Sequence, residues 1–219
     1  VLDGAERVFG LHTAYDLEAG TVGLKQGINN TAVDHFRIRV HGKSTHVSTP
    51  HLGVDALYIA SQIVVAVQGL VTRRTSPTEP VIIGIGKLNA GTTYNAVAAF
   101  AEMEGTTRTI SQESRDRVRA QVSETAQSIA ALYGGTAEIE WTDFAAALVN
   151  DPQVCREAAE VVDELLGEGH VVTDRELSLS GDNFAEFELY KPGAYAYLGT
   201  GNPDLPHTMI TNHNGGFDV

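Results

Sequence analysis

The stretch His41-Gly42-Lys43-Ser44-Thr45-His46-Val47-Ser48-Thr49-Pro50-His51-Leu52-Gly53-Val54-Asp55-Ala56 stands between an alternating segment, Phe36-Arg37-Ile38-Arg39-Val40, and a long apolar run from Leu57 to Val71. Alternation followed by helical spacing marks it as a strand-to-helix connection. Loops on rigid scaffolds are where reactive side chains collect. Histidines at 41, 46 and 51 suggest a metal cluster. Five-residue spacing, however, matches neither the i, i+4 face of a helix nor the alternation of a strand. At most one of the three is therefore read as chemical.

Working outward, Phe36, Ile38 and Val40 alternate with His35, Arg37 and Arg39, which predicts a strand with one buried face. Downstream, Leu57, Ile59, Ala60, Ile63, Val64, Val67, Leu70 and Val71 repeat at helical spacing. Thr49 with Pro50 is expected to cap and open that helix, and Asp55 suits its N-terminal dipole. The apolar surface is broader than one sheet needs, which fits either deep burial or pairing with a second subunit. Pro80 and two glycines in Val81–Leu88 fit an edge or closely approached strand. A turn-rich connection through Tyr94 leads to a strand expected from about Asn95 to Thr109. Ser111 then caps a helix striped by Val118, Val122, Ala126, Ile129 and Leu132, which Gly134-Gly135 end. Ala137, Ile139 and Trp141 alternate as a final strand.

This βαββαβ order is the ferredoxin-like split arrangement. The flanks are patterned differently, so the fold class is α/β, with an α+β ferredoxin-like domain at 30–145 inserted between 1–29 and 146–219. In the first flank, Val8 to Leu11 reads as a short strand ending in His12, either presented at the carboxyl edge of a parallel sheet or a turn histidine. In the second, Asn150-Asp151-Pro152 opens a helix ending near Gly167, and Gly193–Gly199 is a strand. The last stretch is rich in Gly, Pro and Asn and carries His207 and His213.

With 28 acidic against 15 basic residues, a net charge of −13, nucleic acid is excluded as the expected partner. No run of about 18 uninterrupted apolar residues marks a membrane span, and the expected location is the cytoplasm. The single cysteine, Cys155, cannot form an internal disulfide, and its helical surroundings fit a buried small hydrophobe. There is no phosphate loop and no nucleophile elbow. The start just before a strand, without Met, is read as that of a portion of something longer.

Several motifs then coincide: Phe9-Gly10-Leu11-His12; Val40 to His46 with Pro50 to Asp55; Gly91-Thr92-Thr93-Tyr94-Asn95; and Glu104 to Thr109. Ser180-Gly181-Asp182-Asn183-Phe184-Ala185, Leu198 to Pro203 and His213-Asn214-Gly215-Gly216-Phe217 follow in order. Together they resemble the metal-dependent amidohydrolase and peptidase family of aminoacylases, hippurate hydrolases, indole-acetyl-amino-acid hydrolases and related carboxypeptidases. The resemblance implies a catalytic domain with two divalent metals, zinc or manganese, and an inserted lid, 30–145, through which the protein forms a homodimer. By the same resemblance His12 and His213 are metal ligands. His46, in some members supplied by the other subunit, stabilises the oxyanion formed during amide hydrolysis by metal-activated water. Asn95 assists it, and Arg108 clamps the free carboxylate of an N-acyl amino acid or small peptide. Read without the resemblance, Asn95 fits a turn stabiliser better than a catalytic group, and Arg108 a solvated strand residue better than a clamp.

Two departures qualify the match. Asn183 stands where the family usually carries an acid, and the segment supplying the remaining ligands and the general base is not in this sequence. The chain alone is therefore expected to be inert. The alternatives are a lid and dimerisation module retained for binding or assembly, and a ferredoxin-like small-molecule sensor with no metal dependence.

Overall fold

The computed structural model describes residues 2–218. In chain order its elements are β1 (Val8–Glu18), β2 (Val22–Gly23), β3 (Gly27–Asn30), β4 (Ala32–His41), α1 (Ala56–Gly69), β5 (Ile82–Ala90), β6 (Phe100–Thr109), α2 (Gln112–Leu132), β7 (Thr136–Ala145), β8 (Leu148–Asn150), α3 (Pro152–Leu166), β9 (Val171–Val172), α4 (Ala185–Glu188) and β10 (Gly193–Gly201). They fall into two compact units, residues 32–145 and residues 1–31 with 146–219.

The unit of residues 32–145 is a four-stranded antiparallel sheet in the order β5-β6-β4-β7 with two helices on one face. This is the ferredoxin-like arrangement. Phe36, Ile38 and Val40 of β4 point into the core against Ile59, Ile63 and Val67 of α1, Val118 and Val122 of α2, and Met103 of β6. Each such burial removes about 1.5–3 kcal/mol worth of apolar surface from water. By length and composition alone the helical stretch Ala56–Arg74 could cross a bilayer, but its inner face packs on this sheet. Gly105 is required by close approach, because a Cβ there would lie 2.2 Å from Cζ of Phe36, whose ring crosses β6. Beneath the strands, Asp34 is 1% exposed and accepts paired hydrogen bonds from Arg115 and Arg119 of α2.

Two boundaries differ from the sequence reading. Pro50 opens only a short 3-10 turn, Pro50–Leu52, and Thr49 makes no side-chain cap. The true cap of α1 is Asp55, whose carboxylate accepts from the backbone N–H of Leu57 and Tyr58 at 3.0 and 3.2 Å. The cause is a two-residue bridge: Lys43 and Val54 exchange backbone hydrogen bonds at 2.8 Å, which keeps 43–54 a closed loop. Gly42 permits it, since a Cβ at 42 would meet the Val54 carbonyl at 2.2 Å. Likewise β6 begins at Phe100 rather than near Asn95, because residues 95–99 bond back to 42–47 and to the start of α1.

The second unit holds a mixed sheet, β1-β10-β2-β9, and a two-stranded pair, β3-β8. β1 and β10 run parallel, with Gly10 opposite Tyr195 and His12 opposite Tyr197. His12 does not end a short strand as expected. β1 continues to Glu18, since Thr13 and Ala14 keep pairing with Leu198 and Gly199 before a register shift. Cys155 is 2% exposed among Val154, Leu24, Ala194 and Ala196, and burial first, then Glu188 and Asp151, raises its thiol to about 11. It is a small hydrophobe and not a nucleophile.

Candidate active-site side chains

The loop that follows β4 is fixed against the segment preceding β6. His46 bridges Ala96, the Val47 N–H donates to the Asn95 carbonyl at 3.1 Å, and the Val97 N–H donates to the Thr45 carbonyl at 2.8 Å. His46 and Asn95 are thereby brought onto neighbouring loops, both exposed. The protonation of His46 is legible from its partners. The Ser48 backbone N–H donates to Nδ1 at 3.2 Å, and the Ser48 hydroxyl lies 2.7 Å from the same atom. A backbone N–H can only donate, so Nδ1 presents its lone pair and the ring proton sits on Nε2. Thr93 Oγ1 donates to Asn95 Oδ1 at 3.1 Å, leaving the Asn95 amide nitrogen as a donor. The pair can offer two N–H donors to a developing negative charge. Its neighbours His41 and His51 do other things: His41 packs against Phe100 with the ring centroids 5.5 Å apart and the planes tilted by 56°, and His51 lies exposed in the 3-10 turn.

Arg108 stands elsewhere. It alternates with Glu102, Glu104 and Thr106 on the face of β6 away from the helices, and its Nη1 donates to Thr106 Oγ1 at 2.5 Å and to the Thr107 carbonyl at 2.9 Å. Arg108 pairs in register with Val33, at the end of the sheet where the chain enters and leaves this unit, whereas Phe100 pairs with His41 at the other end. Eight residues of strand separate Arg108 from Phe100, roughly 26 Å at about 3.3 Å per residue. The structure therefore pairs His46 with Asn95 but not with Arg108 of the same chain.

In the other unit His12 lies over Tyr195 and Tyr197, with ring centroids 6.1 Å away in each case. Its Nδ1 is 2.8 Å from the Thr13 carbonyl. A carbonyl only accepts, so Nδ1 carries the proton and Nε2 offers a lone pair, the form a metal binds. Asn212 donates to the Thr13 carbonyl and hydroxyl at 3.2 and 3.3 Å and approaches His12 Nδ1 at 3.3 Å, bringing the segment of His213 to His12. His213 has φ 63°, the one left-handed non-glycine among the described residues. Such backbone collects at sites where geometry matters. Among the described residues no group of three or more His, Cys, Asp or Glu is placed to hold a metal ion. Asp182 is structural: Oδ1 caps the Phe184 N–H at 2.8 Å and Oδ2 accepts the Tyr195 hydroxyl at 2.6 Å. Burial, and then this carboxylate, raise the phenol of Tyr195 above its usual range.

Ser48 and Asn212 carry no motif of their own in the sequence, although each lies within two residues of a candidate histidine. A short polar residue two positions after a histidine, beside a turn-forming Thr-Pro, is the signal that points to Ser48.

Residues 30–133 match the family model described as the peptidase dimerisation domain. Over 96% of its length the chain is 34% identical to the N-acetyl-L-cysteine deacetylase of Bacillus subtilis, covering 50% of that protein. It is 31% identical over its full length to thermostable carboxypeptidase 1 of Saccharolobus solfataricus, covering 55% of it. Among solved structures it superposes on the Bacillus subtilis YXEP protein, described as a dinuclear metal binding peptidase of the M20 family, with a TM-score of 0.80 and 30% identity over all of this chain and 53% of that one. Residues 30–133 thus match the M20 peptidase dimerisation domain, and over its length the chain is similar to deacetylases, carboxypeptidases and a peptidase of the M20 family. It spans about half the length of the curated relatives it matches.

Proposed function

We propose that this chain is part of a metal-dependent amidohydrolase that removes the acyl group from N-acyl amino acids or cleaves small peptides, with residues 30–145 as lid and the flanks, 1–29 and 146–219, as part of the catalytic domain. The observation that carries the reading is the Nε2–H form of His46 beside the donor amide of Asn95. Two N–H groups converging on the oxygen that gains charge as the amide carbonyl becomes tetrahedral are what acyl transfer requires. Arg108 supplies a guanidinium for the free carboxylate. His12, through Nε2, and His213 would contribute to holding divalent metal. When bound, the metal would polarise the scissile carbonyl and lower the pKa of water.

The span of roughly 26 Å along β6 from Arg108 to Phe100, with His46 bridged to Ala96 beyond it, is long for an N-acyl amino acid and favours His46 and Arg108 of different chains serving one substrate. A homodimer resolves this, with Arg108 and the partner subunit's His46 and Asn95 meeting at each site. The lid offers a surface for it: β5 is an edge strand with Ile82 and Leu88 exposed, and α1 leaves Leu57, Tyr58 and Val65 in solvent.

The intact protein that carries this chain is expected to hydrolyse a panel of N-acetyl amino acids with added zinc or manganese, read by release of the free amine. The 219-residue chain alone, with two of the proposed ligands and no general base, is expected to show none. Robust turnover by the chain alone contradicts the assignment of its incomplete site. The second reading, a lid and dimerisation module without catalysis, draws on the lack of any three-residue metal cluster among the described residues. It predicts an intact protein that dimerises but never turns over.

A further inference from the structure

We propose that Gly84 and Ile82 of β5 form the recess that receives the side chain of the amino acid whose carboxylate Arg108 holds, and that they select large aliphatic side chains; the inference rests on Arg108 acting as that clamp. Residues directly opposite in an antiparallel pair share a face, with Cβ atoms about 4.5–5.5 Å apart. Ile82 stands opposite Arg108 and Gly84 opposite Thr106, while Ile83, between them, is 5% exposed and belongs to the core. Ile82, Gly84, Thr106 and Arg108 therefore share the face turned away from the helices. Ile82 is 41% exposed there, and Val33, opposite Arg108 on β4, adds a second apolar flank.

Gly84 leaves a gap in this surface. A Cβ at 84 would meet no heavy atom within 4 Å. Its φ lies outside the left-handed region, so the backbone itself does not require glycine there. Charged groups border the gap but are satisfied among themselves. Lys87 donates to Glu104 at 2.7 Å, and His35, opposite Thr106, lies 3.2 Å from the same carboxylate. A side chain entering beside Arg108 thus meets Ile82 and an open floor before it meets a charge. An aliphatic chain gains by covering Ile82, whereas a charged one would have to displace part of an existing ion pair. Because β5 is also the edge strand offered to a second subunit, the recess lies along the seam where the partner subunit's His46 is needed.

The test is kcat/KM of the intact enzyme for N-acetylleucine, N-acetylglycine and N-acetylleucinamide, which lacks the carboxylate. The native enzyme should favour N-acetylleucine over N-acetylglycine. Gly84→Val, which fills open space in the folded chain, should lower that ratio at least about tenfold. Ile82→Ala should lower it about fivefold. Loss of folding or of dimerisation would reduce both substrates together, so it cannot mimic a change in the ratio. An unchanged ratio in either variant, or a native preference for N-acetylglycine, overturns the recess. N-acetylleucinamide tests the clamp separately: Arg108→Ala should erase the native discrimination against it. Discrimination that survives in R108A overturns Arg108 as the clamp and the recess with it, and an intact protein that hydrolyses neither acid overturns the proposed function itself.

Discussion

Glu188 is a carboxylate whose ionisation the fold opposes. Its Oε2 accepts the Val149 N–H at 2.9 Å, while Oε1 is buried without a hydrogen-bond partner. Burial first, and Asp151 second, raise its carboxyl to about 7 against that bond. A carboxyl that binds its proton more tightly folded than unfolded stabilises nothing extra below the unfolded value, and costs stability as pH rises from about 4.5 to 7. Glu188→Gln keeps an acceptor for Val149 and removes the charge. It should be as stable as the native chain at pH 4 and more stable at pH 8, by about 1–3 kcal/mol, in denaturant titrations at the two pH values. A native chain whose stability is flat across this range contradicts the burial argument. None of this was legible in the sequence, where Glu188 is one acid among 28. The histidines were different, because local motifs single them out, yet which nitrogen carries each proton depends on the Thr13 carbonyl and the Ser48 N–H.

At the scale of elements, Asp34 ties β4 to α2. Its burial opposes ionisation, but hydrogen bonds from Arg115 and Arg119 outweigh that and hold the carboxyl below its usual value. Stability from this group is present above the unfolded carboxyl's range and is lost as pH falls through the lowered value. Asp34→Asn leaves the Arg115 side chain, 6% exposed, with only the more distant carboxylate of Asp143, at 3.8 Å, as its anion. Thermal or denaturant unfolding should show a loss of about 3–5 kcal/mol, and a loss below about 1 kcal/mol would show the pair to be incidental. Element order was readable because alternation in β4 and helical spacing in α1 and α2 follow directly from which face is buried. Boundaries were not. Thr49-Pro50 is a good local start for a helix, but the bridge between Lys43 and Val54 overrides it. The extent of β1 was hidden because, beyond Leu11, its continuation shows in pairing with β10 rather than in apolar content.

For the whole molecule, the deciding feature is one of length. His46 and Asn95 occupy one end of the ferredoxin-like sheet and Arg108 the other. Sequence motifs named all three but carry no distances, so they left open whether one chain could bring them to one substrate. The direct measurement is complementation in the intact enzyme between His46→Ala and Arg108→Ala, each nearly inactive alone. In a mixed dimer one site has both residues intact and the other has neither. Co-expressed variants, with half the dimers mixed and one good site in each, should recover roughly a quarter of the native activity. Activity no higher than that of either variant alone would contradict a site shared between subunits.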